Sequence, residues 1–332
     1  MRIALDAMGS DRAPAVEVEG AVGALRELDG DFRIVLVGDR ERIEAELKRH
    51  PDAPRERIEV VHAPQRIEMG ESPAQAIRRK TDSSIVVGLN LHKRGEADAF
   101  ISAGSTGAVM AGSLVLLRPL PGVDRPAIGA VIPTSKGHIL LVDAGANVDT
   151  RPHQLLQFAH LGTIYAQDLM GIEEPRVGLL NIGEEPEKGD ERALETHQLL
   201  AASEHLRFVG NVEGRDVIHH PCDVLVADGF VANVLLKFYE SVAAYFVGLV
   251  NRAVVEAGVE LDTRRIFRGL DYTEYGGAPL LGVNGVTIIC HGGSPPRAVR
   301  NAIRVAVQAV ERRMVSHIER QLSRPAETSV SQ

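Results

Sequence analysis

The clearest chemical potential in this chain lies in Ser102-Ala103-Gly104-Ser105-Thr106-Gly107, where one apolar run ends and another begins. A strand followed by such a turn and then by a helix leaves backbone N–H groups, hydroxyls and a helix N-terminus facing one point. Those groups bind phosphate or another anion. The turn lacks both the GxGxxG spacing and the final lysine of a P-loop. An ordinary helix cap formed by Ser105 or Thr106 is the alternative interpretation.

Six more turns of this kind follow other apolar runs and supply carboxylates, amides and glycines. The candidate substrate-binding residues of all seven turns are Asp6, Gly9, Gly104, Ser105, Thr106, Gly107, Asp143, Asn147, Gly183, Asp228, Gly229, Gly276 and Gly277. Each turn taken singly is a plain turn or helix cap, but their uniform content of Gly, Ser and Asn favours a shared ligand. No histidine or third acid keeps ligand spacing with Asp143 and Asp149, so amide donors are favoured over a metal.

Four residues are candidates for catalysis: Lys188, Asn181, Asn233 and His291. Lys188 is the one lysine of an acidic loop between glycines, and it is either a mobile cation that closes over an anion or part of a solvated loop. There is no GxSxG elbow, so no Ser-His-Asp triad is assigned. Cys290 ends an apolar run, and a buried thiol beside His291 is a poor nucleophile.

The composition excludes several classes of protein. Aromatic residues make up 4% of the 332 residues and Trp is absent, which disfavours base-stacking grooves. A net charge of −8 disfavours general nucleic-acid binding. The two cysteines have no metal or disulfide spacing, and the N-terminus lacks a signal-peptide layout. No run of about 18 uncharged apolar residues occurs. These features predict a cytoplasmic protein that does not span a membrane.

Nine short Val/Ile/Leu-rich runs alternate with helical stretches, which predicts an α/β fold of three layers, α/β/α, with a mostly parallel sheet. Two of the helices are expected to be long, over residues 72–94 and 298–321. Ligands of such sheets sit outside the carboxyl ends of the strands, so we expect the seven turns to meet there.

One stretch interrupts this alternation. From Val234 to about residue 268 no strand is expected, and apolar residues recur at spacings of three and four. The stripe indicates core or dimer packing, or a projecting surface helix that meets a membrane. We predict a single domain over residues 1–322, with a helical projection at about 234–268 and a flexible tail at 323–332.

These motifs, in this order, resemble the bacterial acyl-ACP:phosphate acyltransferase family, called PlsX, over nearly the whole chain. The residues that carry the resemblance are Ile3-Ala4-Leu5-Asp6-Ala7-Met8-Gly9, Ser102 to Ala108, Asp124-Arg125-Pro126-Ala127, Asp143 to Asp149, Val177 to Gly183, Asp228-Gly229-Phe230 with Asn233, and Tyr275-Gly276-Gly277-Ala278. The resemblance implies a fold similar to that of phosphotransacetylases and isopropylmalate-type dehydrogenases, and a homodimer.

The family converts a fatty acyl thioester on acyl carrier protein (ACP) and inorganic phosphate into acyl phosphate, for phospholipid synthesis. The resemblance therefore implies direct attack of phosphate on the thioester, with no metal and no cofactor. Its partners are acyl-ACP and phosphate, with peripheral membrane contact and a downstream glycerol-3-phosphate acyltransferase as further candidates. Alternatives are a phosphotransacetylase-type acyl-CoA:phosphate transferase and a non-catalytic, membrane-associated dimer that binds acyl phosphate.

In this mechanism Gly104–Gly107 form the phosphate cradle, and Lys188 is the mobile cation. Amide donors to phosphate or the oxyanion are Asn147, Asn181 and Asn233. Asp6, Asp143 and Asp228 orient these groups. His291 either donates a proton to the leaving thiolate or has a structural role. Phosphate is already a nucleophile near neutral pH, so positioning and oxyanion donors supply most of the catalysis.

The chain departs from the family pattern at a few positions. The family usually has Gly-Asp-His-Ala-Pro at Ser10–Pro14, Asn at Ser105 and Thr-Gly at Val231-Ala232. These differences weaken side-chain roles at positions 10, 12, 105 and 231, and Ala232 restricts φ. ACP is acidic and needs a basic face, for which the candidates are Arg78-Arg79-Lys80 and Arg264-Arg265 with Arg268.

Overall fold

The computed structural model describes residues 1–259, 261–262 and 274–322. Within this part of the chain eleven strands form one sheet. They are β1 (Arg2–Asp6), β2 (Arg33–Gly38), β3 (Ile58–His62), β4 (Ala99–Ser102), β5 (Ala127–Thr134), β6 (Gly137–Val142), β7 (Arg176–Asn181), β8 (Arg207–Glu213), β9 (Val224–Val226), β10 (Ala278–Leu281) and β11 (Val286–Ile289). The strand order is β3-β2-β1-β4-β11-β10-β5-β6-β9-β7-β8.

The sheet consists of two parallel halves that run in opposite directions. The strands β3, β2, β1, β4 and β11 are parallel to one another, and so are β6, β9, β7 and β8. Between the halves, β10 pairs antiparallel with both β11 and β5, and β5 pairs antiparallel with β6. The direction reverses three times, so the second half runs opposite to the first.

Helices cover both faces of the sheet. They are α1 (Ala15–Glu27), α2 (Arg40–Leu47), α3 (Pro73–Arg79), α4 (Ser84–Lys93), α5 (Thr106–Leu116), α6 (Pro152–Met170), α7 (Glu191–Ala202), α8 (Gly229–Glu256), α9 (Pro296–Glu311) and α10 (Met314–Leu322). One core contains buried side chains of α1, α2, α6, α7, α9 and α10. The opposite face packs α3, α4 and α5 over the first half and α8 over the second. The expected three-layer α/β/α fold with a mostly parallel sheet is confirmed.

Short polar side chains set where several helices begin. Asp39 caps α2 by accepting hydrogen bonds from the N–H groups of Glu41 and Arg42, and Asp190 caps α7 in the same way. Ser83 caps α4 through the N–H of Val86. The expected helix over residues 72–94 is therefore two helices, because the chain turns at Lys80–Ser83 and starts again at this cap. The expected helix over residues 298–321 also divides, near Arg313, whose φ is 54°.

Both strands that the sequence analysis missed, β5 and β10, lie in the middle of the sheet. Each contains a proline, Pro133 in β5 and Pro279 in β10, and such residues are typical of turns or edges. These two strands carry the reversals of direction, and no local pattern in the sequence indicates them.

The helix α8 is 28 residues long but has only two buried residues, Gly229 and Ala232. Its first turns are attached to the domain, since the hydroxyl of Tyr239 donates to the carbonyl of Pro133 at 2.8 Å. By length and composition alone α8 is long and apolar enough to cross a membrane. The division into one domain, a projection and a tail stays a prediction, and residues 323–332 lie outside the described part.

Candidate functional site

The polar turns lie in two clusters rather than at one edge of the sheet. The first cluster comprises residues 6–11, 102–107 and 290–294, which follow β1, β4 and β11. The second cluster comprises residues 143–149, 181–192 and 228–233, which follow β6, β7 and β9. The expectation of one common carboxyl edge is wrong, because the strands of the two halves run in opposite directions.

The two clusters nevertheless border the same face of the sheet. Ser102 pairs with Ile289 across β4 and β11, and Ala130 pairs with Leu141 across β5 and β6. Four strand spacings, about 19 Å along the sheet, separate β4 from β6. One apolar cluster contains Val109 of α5 together with Ala144 and Leu236. One apolar core on this face of the sheet therefore lies between the two clusters.

A hydrogen-bonded relay fixes the backbone of the first cluster. The N–H of Gly104 donates to Ser102 Oγ at 3.0 Å, and that hydroxyl donates to Asp6 Oδ2 at 2.7 Å. Asp6 Oδ1 accepts the N–H of Met8 at 3.0 Å. Burial raises the pKa of Asp6, while the hydrogen bonds and the positive charge of Arg66 oppose that increase. Asp6 thus orients the turn, as expected.

Glycines allow the turns of the first cluster to touch. A Cβ on Gly9 would lie 2.6 Å from the backbone nitrogen of Gly104, so only glycine lets these two turns pack backbone to backbone. A Cβ on Gly107 would lie 2.7 Å from Pro73 Cγ, which places the first turn of α3 against the first turn of α5. The turns 9–10 and 104–107 therefore form one continuous backbone surface.

The side chain of Ser105 is the N-cap of α5 and accepts the N–H of Ala108 at 3.4 Å. The alternative of an ordinary cap is therefore correct for this side chain. The cap leaves the backbone N–H groups of Thr106 and Gly107 without intrahelical acceptors, since the first turn of a helix has none. Thr106 is exposed, so these donors border solvent. An anion can accept from them whichever residue occupies position 105.

Three residues beside the first cluster escaped the sequence analysis. Arg66 donates to the carbonyl of Ser10 at 3.4 Å. Glu17 accepts the N–H of Ser10 at 2.7 Å and is fully buried. Among the described residues, the buried Arg66 Nε, Ser10 Oγ and Glu17 Oε2 have no hydrogen-bond partner. Glu17 could have been recognised in the sequence as an acidic residue on the apolar face of α1. Arg66 follows β3 without a glycine turn and gave no signal.

His291 is exposed at the edge of the first cluster. Its Nδ1 accepts the N–H of Gly293 at 3.1 Å, which assigns the proton of the neutral ring to Nε2. A small pocket of about 130 Å³ is lined by His291, Ser294, Tyr275 and, from α8, Leu236 and Glu240. This pocket brings residues that follow β11 together with the helix that follows β9. The arrangement suits the expected proton donation, which stays a prediction.

The expected glycines Gly276 and Gly277 shape the turn before β10. Their φ angles are 86° and 81°, and a Cβ on Gly276 would lie 2.5 Å from the carbonyl oxygen of Asn301. Their role is to bring the backbone close to α9. Cys290, beside them, is buried, and burial raises the pKa of its thiol to about 12, so it does not supply a thiolate near neutral pH.

In the second cluster Asp143 is the centre of a turn network. Its two carboxylate oxygens accept the N–H groups of Ile128, Gly145, Ala146 and Asn147. Burial raises the pKa of Asp143, and these hydrogen bonds oppose the increase. Asp143 therefore orients the turn, as expected.

Asn147 has a different role from the one expected. Its Nδ2 donates to Pro126 O at 2.8 Å and to Asp143 Oδ2 at 3.0 Å, which uses both amide hydrogens. It therefore has no amide hydrogen left for a substrate in this structure, and it holds Pro126 of the Asp124-Arg125-Pro126 motif against the turn. The expected donation by Asn147 to phosphate is not supported.

Asp228 joins the start of α8 to α7. Its Oδ1 caps α8 by accepting the N–H groups of Phe230 and Val231, and its Oδ2 accepts from Arg192 at 3.0 Å. A Cβ on Gly229 would lie 2.7 Å from the carbonyl oxygen of Asn147, so glycine permits this turn to pack on the 143–149 turn. Arg192 is a second cation that the sequence analysis missed.

The remaining candidates lie at the exposed side of the second cluster. Asn181 Nδ2 donates to Lys188 O at 3.0 Å, and Asn233 Nδ2 donates to Ala144 O at 3.0 Å. Each amide keeps one further hydrogen for a ligand. Lys188 is exposed, and a Cβ on Gly183 would lie 2.8 Å from its Cγ. These positions agree with donation by both amides and with movement of Lys188, and both roles stay predictions.

The described residues contain no group of three or more His, Cys, Asp and Glu side chains that could hold a metal ion. Ala232, where the family pattern has Gly, lies within α8. A helical φ suits alanine, so this departure causes no strain.

The fold and the two clusters define an α/β protein with the fold of the phosphotransacetylases. The phosphotransacetylase EutD of Staphylococcus aureus has a TM-score of 0.60 and 17% identity, with 94% of each chain covered. A phosphotransacetylase of Streptococcus pyogenes has a TM-score of 0.61 and 17% identity, again covering 94% of each chain.

The family model described as "Fatty acid synthesis protein" matches residues 1–317, and the chain belongs to this family. A phosphate acyltransferase of Heliobacterium modesticaldum is 50% identical over 96% of this chain and 97% of its own. One of Desulforamulus reducens is 49% identical over 97% of both chains. The resemblance found in the sequence is confirmed, and the chain is an acyltransferase of the phosphate acyltransferase group.

Proposed function

We propose that the protein transfers a fatty acyl group from the thiol of ACP to inorganic phosphate, which yields acyl phosphate and the free thiol. The observation that carries this proposal is the first cluster, where the backbone of Gly9 packs on that of Gly104 just before the first turn of α5, and Arg66 donates to the carbonyl of Ser10. Relatives named phosphate acyltransferases support the same reaction.

Phosphate binds at the first cluster in this proposal. The N–H groups of Thr106 and Gly107 and the positive end of the α5 dipole attract a dianion. Arg66 adds a guanidinium whose Nε makes no hydrogen bond among the described residues and lies 3.6 Å from Glu68 Oε2, in a loose ion pair. The carboxylate of Asp6 is already engaged by Ser102 and Met8, so it orients the turn instead of competing for the site.

The reaction begins when a phosphate oxygen attacks the thioester carbonyl carbon. The carbonyl electron pair moves to its oxygen, and backbone N–H groups of the first cluster stabilise that charge beside the bound phosphate. Asn181, Asn233 and Lys188 belong to the second cluster and are candidate donors to the part of the substrate that reaches it. The C–S bond then breaks as the carbonyl re-forms. The sulfur leaves with the electron pair and is neutralised by the proton that hydrogen phosphate gives up on becoming acyl phosphate, with His291 as the candidate relay. The products are the free thiol and acyl phosphate.

The acidic carrier docks near the first cluster. Arg78 and Arg79 are exposed at the end of α3, whose first turn touches Gly107 of the cradle. Lys80 pairs with Glu71 and donates to Arg66 O, so it contributes less to this face. The other candidates, Arg264, Arg265 and Arg268, lie outside the described residues.

We further propose a cytoplasmic homodimer that contacts the membrane peripherally through α8. Along α8 beyond Tyr239 the side chains of Tyr245, Phe246, Leu249 and Val255 are exposed, and an apolar face of this size needs a second chain or lipid. Membrane contact would bring the product to the enzyme that uses it next, a glycerol-3-phosphate acyltransferase.

The test mixes the purified protein with palmitoyl-ACP, with and without phosphate, and follows thiol release. Phosphate-dependent release, with acyl phosphate trapped by hydroxylamine, supports the proposal. Release from palmitoyl-CoA but not from palmitoyl-ACP would instead indicate a phosphotransacetylase-type enzyme. No release from either thioester would leave acyl-phosphate binding without catalysis as the better account.

A further inference from the structure

A cavity of about 600 Å³ lies at the second cluster, on the side of α8 away from His291. Its floor includes Leu155, Leu179 and Ala227, which are buried. This volume is within the range of about 300–1,000 Å³ that pockets for small ligands span. A cavity with an apolar floor and walls takes a hydrocarbon group.

The cavity has one charged end and one apolar end. Val231, Val234 and Phe238 line it at spacings of three and four, so they form one stripe on α8. Asp228, the cap of α8, pairs with Arg192 at the start of this stripe. Phe238 lies ten residues further along, at a helical rise of about 15 Å. An acyl chain that enters at the Phe238 end, the level at which Leu236 and Glu240 of α8 line the pocket of His291, would run along the stripe towards Arg192.

The far end of the stripe is open. Phe238 is 68% exposed and Val234 is 56% exposed, and Ile182 on the facing loop is 81% exposed. Three large apolar side chains kept in water around one cavity indicate that a ligand covers them in use. Asn181, a candidate oxyanion donor, lies on the same cavity wall.

We propose that this cavity holds the acyl chain of the substrate, with Val234 and Phe238 setting which chain lengths are accepted. The inference rests on the proposed acyl transfer. Each buried CH₂ is worth about fourfold in affinity, so a residue that shortens the cavity discriminates strongly between long and short chains.

The first experiment compares chain lengths in thiol release. Val234→Phe fills the middle of the stripe, and we expect kcat/KM for palmitoyl-ACP to fall at least about tenfold while that for octanoyl-ACP changes less than about twofold. Val209→Phe is the matched control, because Val209 is 43% exposed on β8 and does not line the cavity. An unchanged chain-length profile in Val234→Phe overturns the inference.

A second experiment needs no turnover. The chain has no tryptophan, so Phe238→Trp introduces the sole indole, and Val209→Trp gives its control. We expect palmitate below its micelle concentration to shift the emission of Phe238→Trp to shorter wavelength with saturation, and to leave Val209→Trp unchanged. If the wild type releases no thiol but this shift occurs, the cavity is right and acyl transfer is wrong. An unshifted Phe238→Trp spectrum contradicts the cavity whatever the activity.

Discussion

Glu17 shows how a single carboxyl group can couple the first cluster to pH. It is fully buried under the turn, and one of its oxygens holds the N–H of Ser10. Burial raises the pKa of Glu17 to about 7, and the hydrogen bond from the Ser10 N–H only partly opposes this. Glu17 therefore gains or loses its proton near neutral pH.

Glu17→Gln should remove a pH dependence of stability. The pKa of Glu17 is about 7 in the folded protein, against 4.5 for an ordinary glutamate side chain, so the native state holds the extra proton between these values. Stability from this group is present below the lower value and is lost as pH rises to the upper one. The glutamine variant should gain roughly 3 kcal/mol over wild type between about pH 5 and about pH 8.

Denaturant unfolding at several pH values measures this difference. Glu19→Gln is the control, because Glu19 is exposed on the same helix. A difference between Glu17→Gln and wild type that does not change with pH would show that the carboxyl group is ionised throughout.

Lys188→Ala tests the mobile cation. We expect kcat/KM for phosphate to fall at least about tenfold, equivalent to about 1.4 kcal/mol of transition-state stabilisation, with partial recovery in Lys188→Arg. Lys136→Ala removes an exposed lysine elsewhere and should behave as wild type. Equal steady-state parameters for Lys188→Ala and wild type would remove the lysine from the mechanism.

At the scale of elements, α3 presents the exposed pair Arg78 and Arg79 beside the phosphate cradle. The double variant Arg78→Glu/Arg79→Glu should raise KM for palmitoyl-ACP about fivefold to tenfold at low salt and less at high salt. KM for phosphate should not change.

The matched control for this pair is Lys48→Glu/Arg49→Glu. These residues are exposed at the end of α2, which packs on the other face of the sheet. The same rise in KM for both double variants would show a general charge effect, and no rise for either would reject α3 as the docking element.

The apolar face of α8 predicts membrane binding that depends on single side chains. Phe246 is 53% exposed and forms an edge-to-face pair with Tyr245. Phe246→Glu should reduce flotation with anionic liposomes severalfold, because a charge at the lipid interface is unfavourable. Ile218→Glu, which alters an exposed side chain on another part of the surface, should float like wild type. Undiminished flotation of Phe246→Glu would reject this face as the contact.

At the scale of the whole molecule, the sequence predicted whatever depends on local patterns. Buried strands such as β4 and β7 and capped helices such as α5 follow from apolar runs and short polar residues. The reversal of the sheet does not, because β5 and β10 are recognisable only from the strands they pair with. Long-range contacts also account for the part of the site that the sequence did not predict. Glycines and carboxylates indicated where the turns lie, but the hydrogen bonds made by Asn147, Arg66 and Arg192 depend on residues distant in sequence.

The central position of β10 and β11 has a consequence for synthesis of the chain. These strands, residues 278–289, lie between β4 and β5, so the middle of the sheet is the last part of it to be translated. Until then β4 and β5 each have an open backbone edge that can pair with another nascent chain. Chains arrested on the ribosome before residue 278 should stay protease-sensitive, whereas chains that have released residue 322 should become resistant. Early resistance would mean that the two halves fold separately.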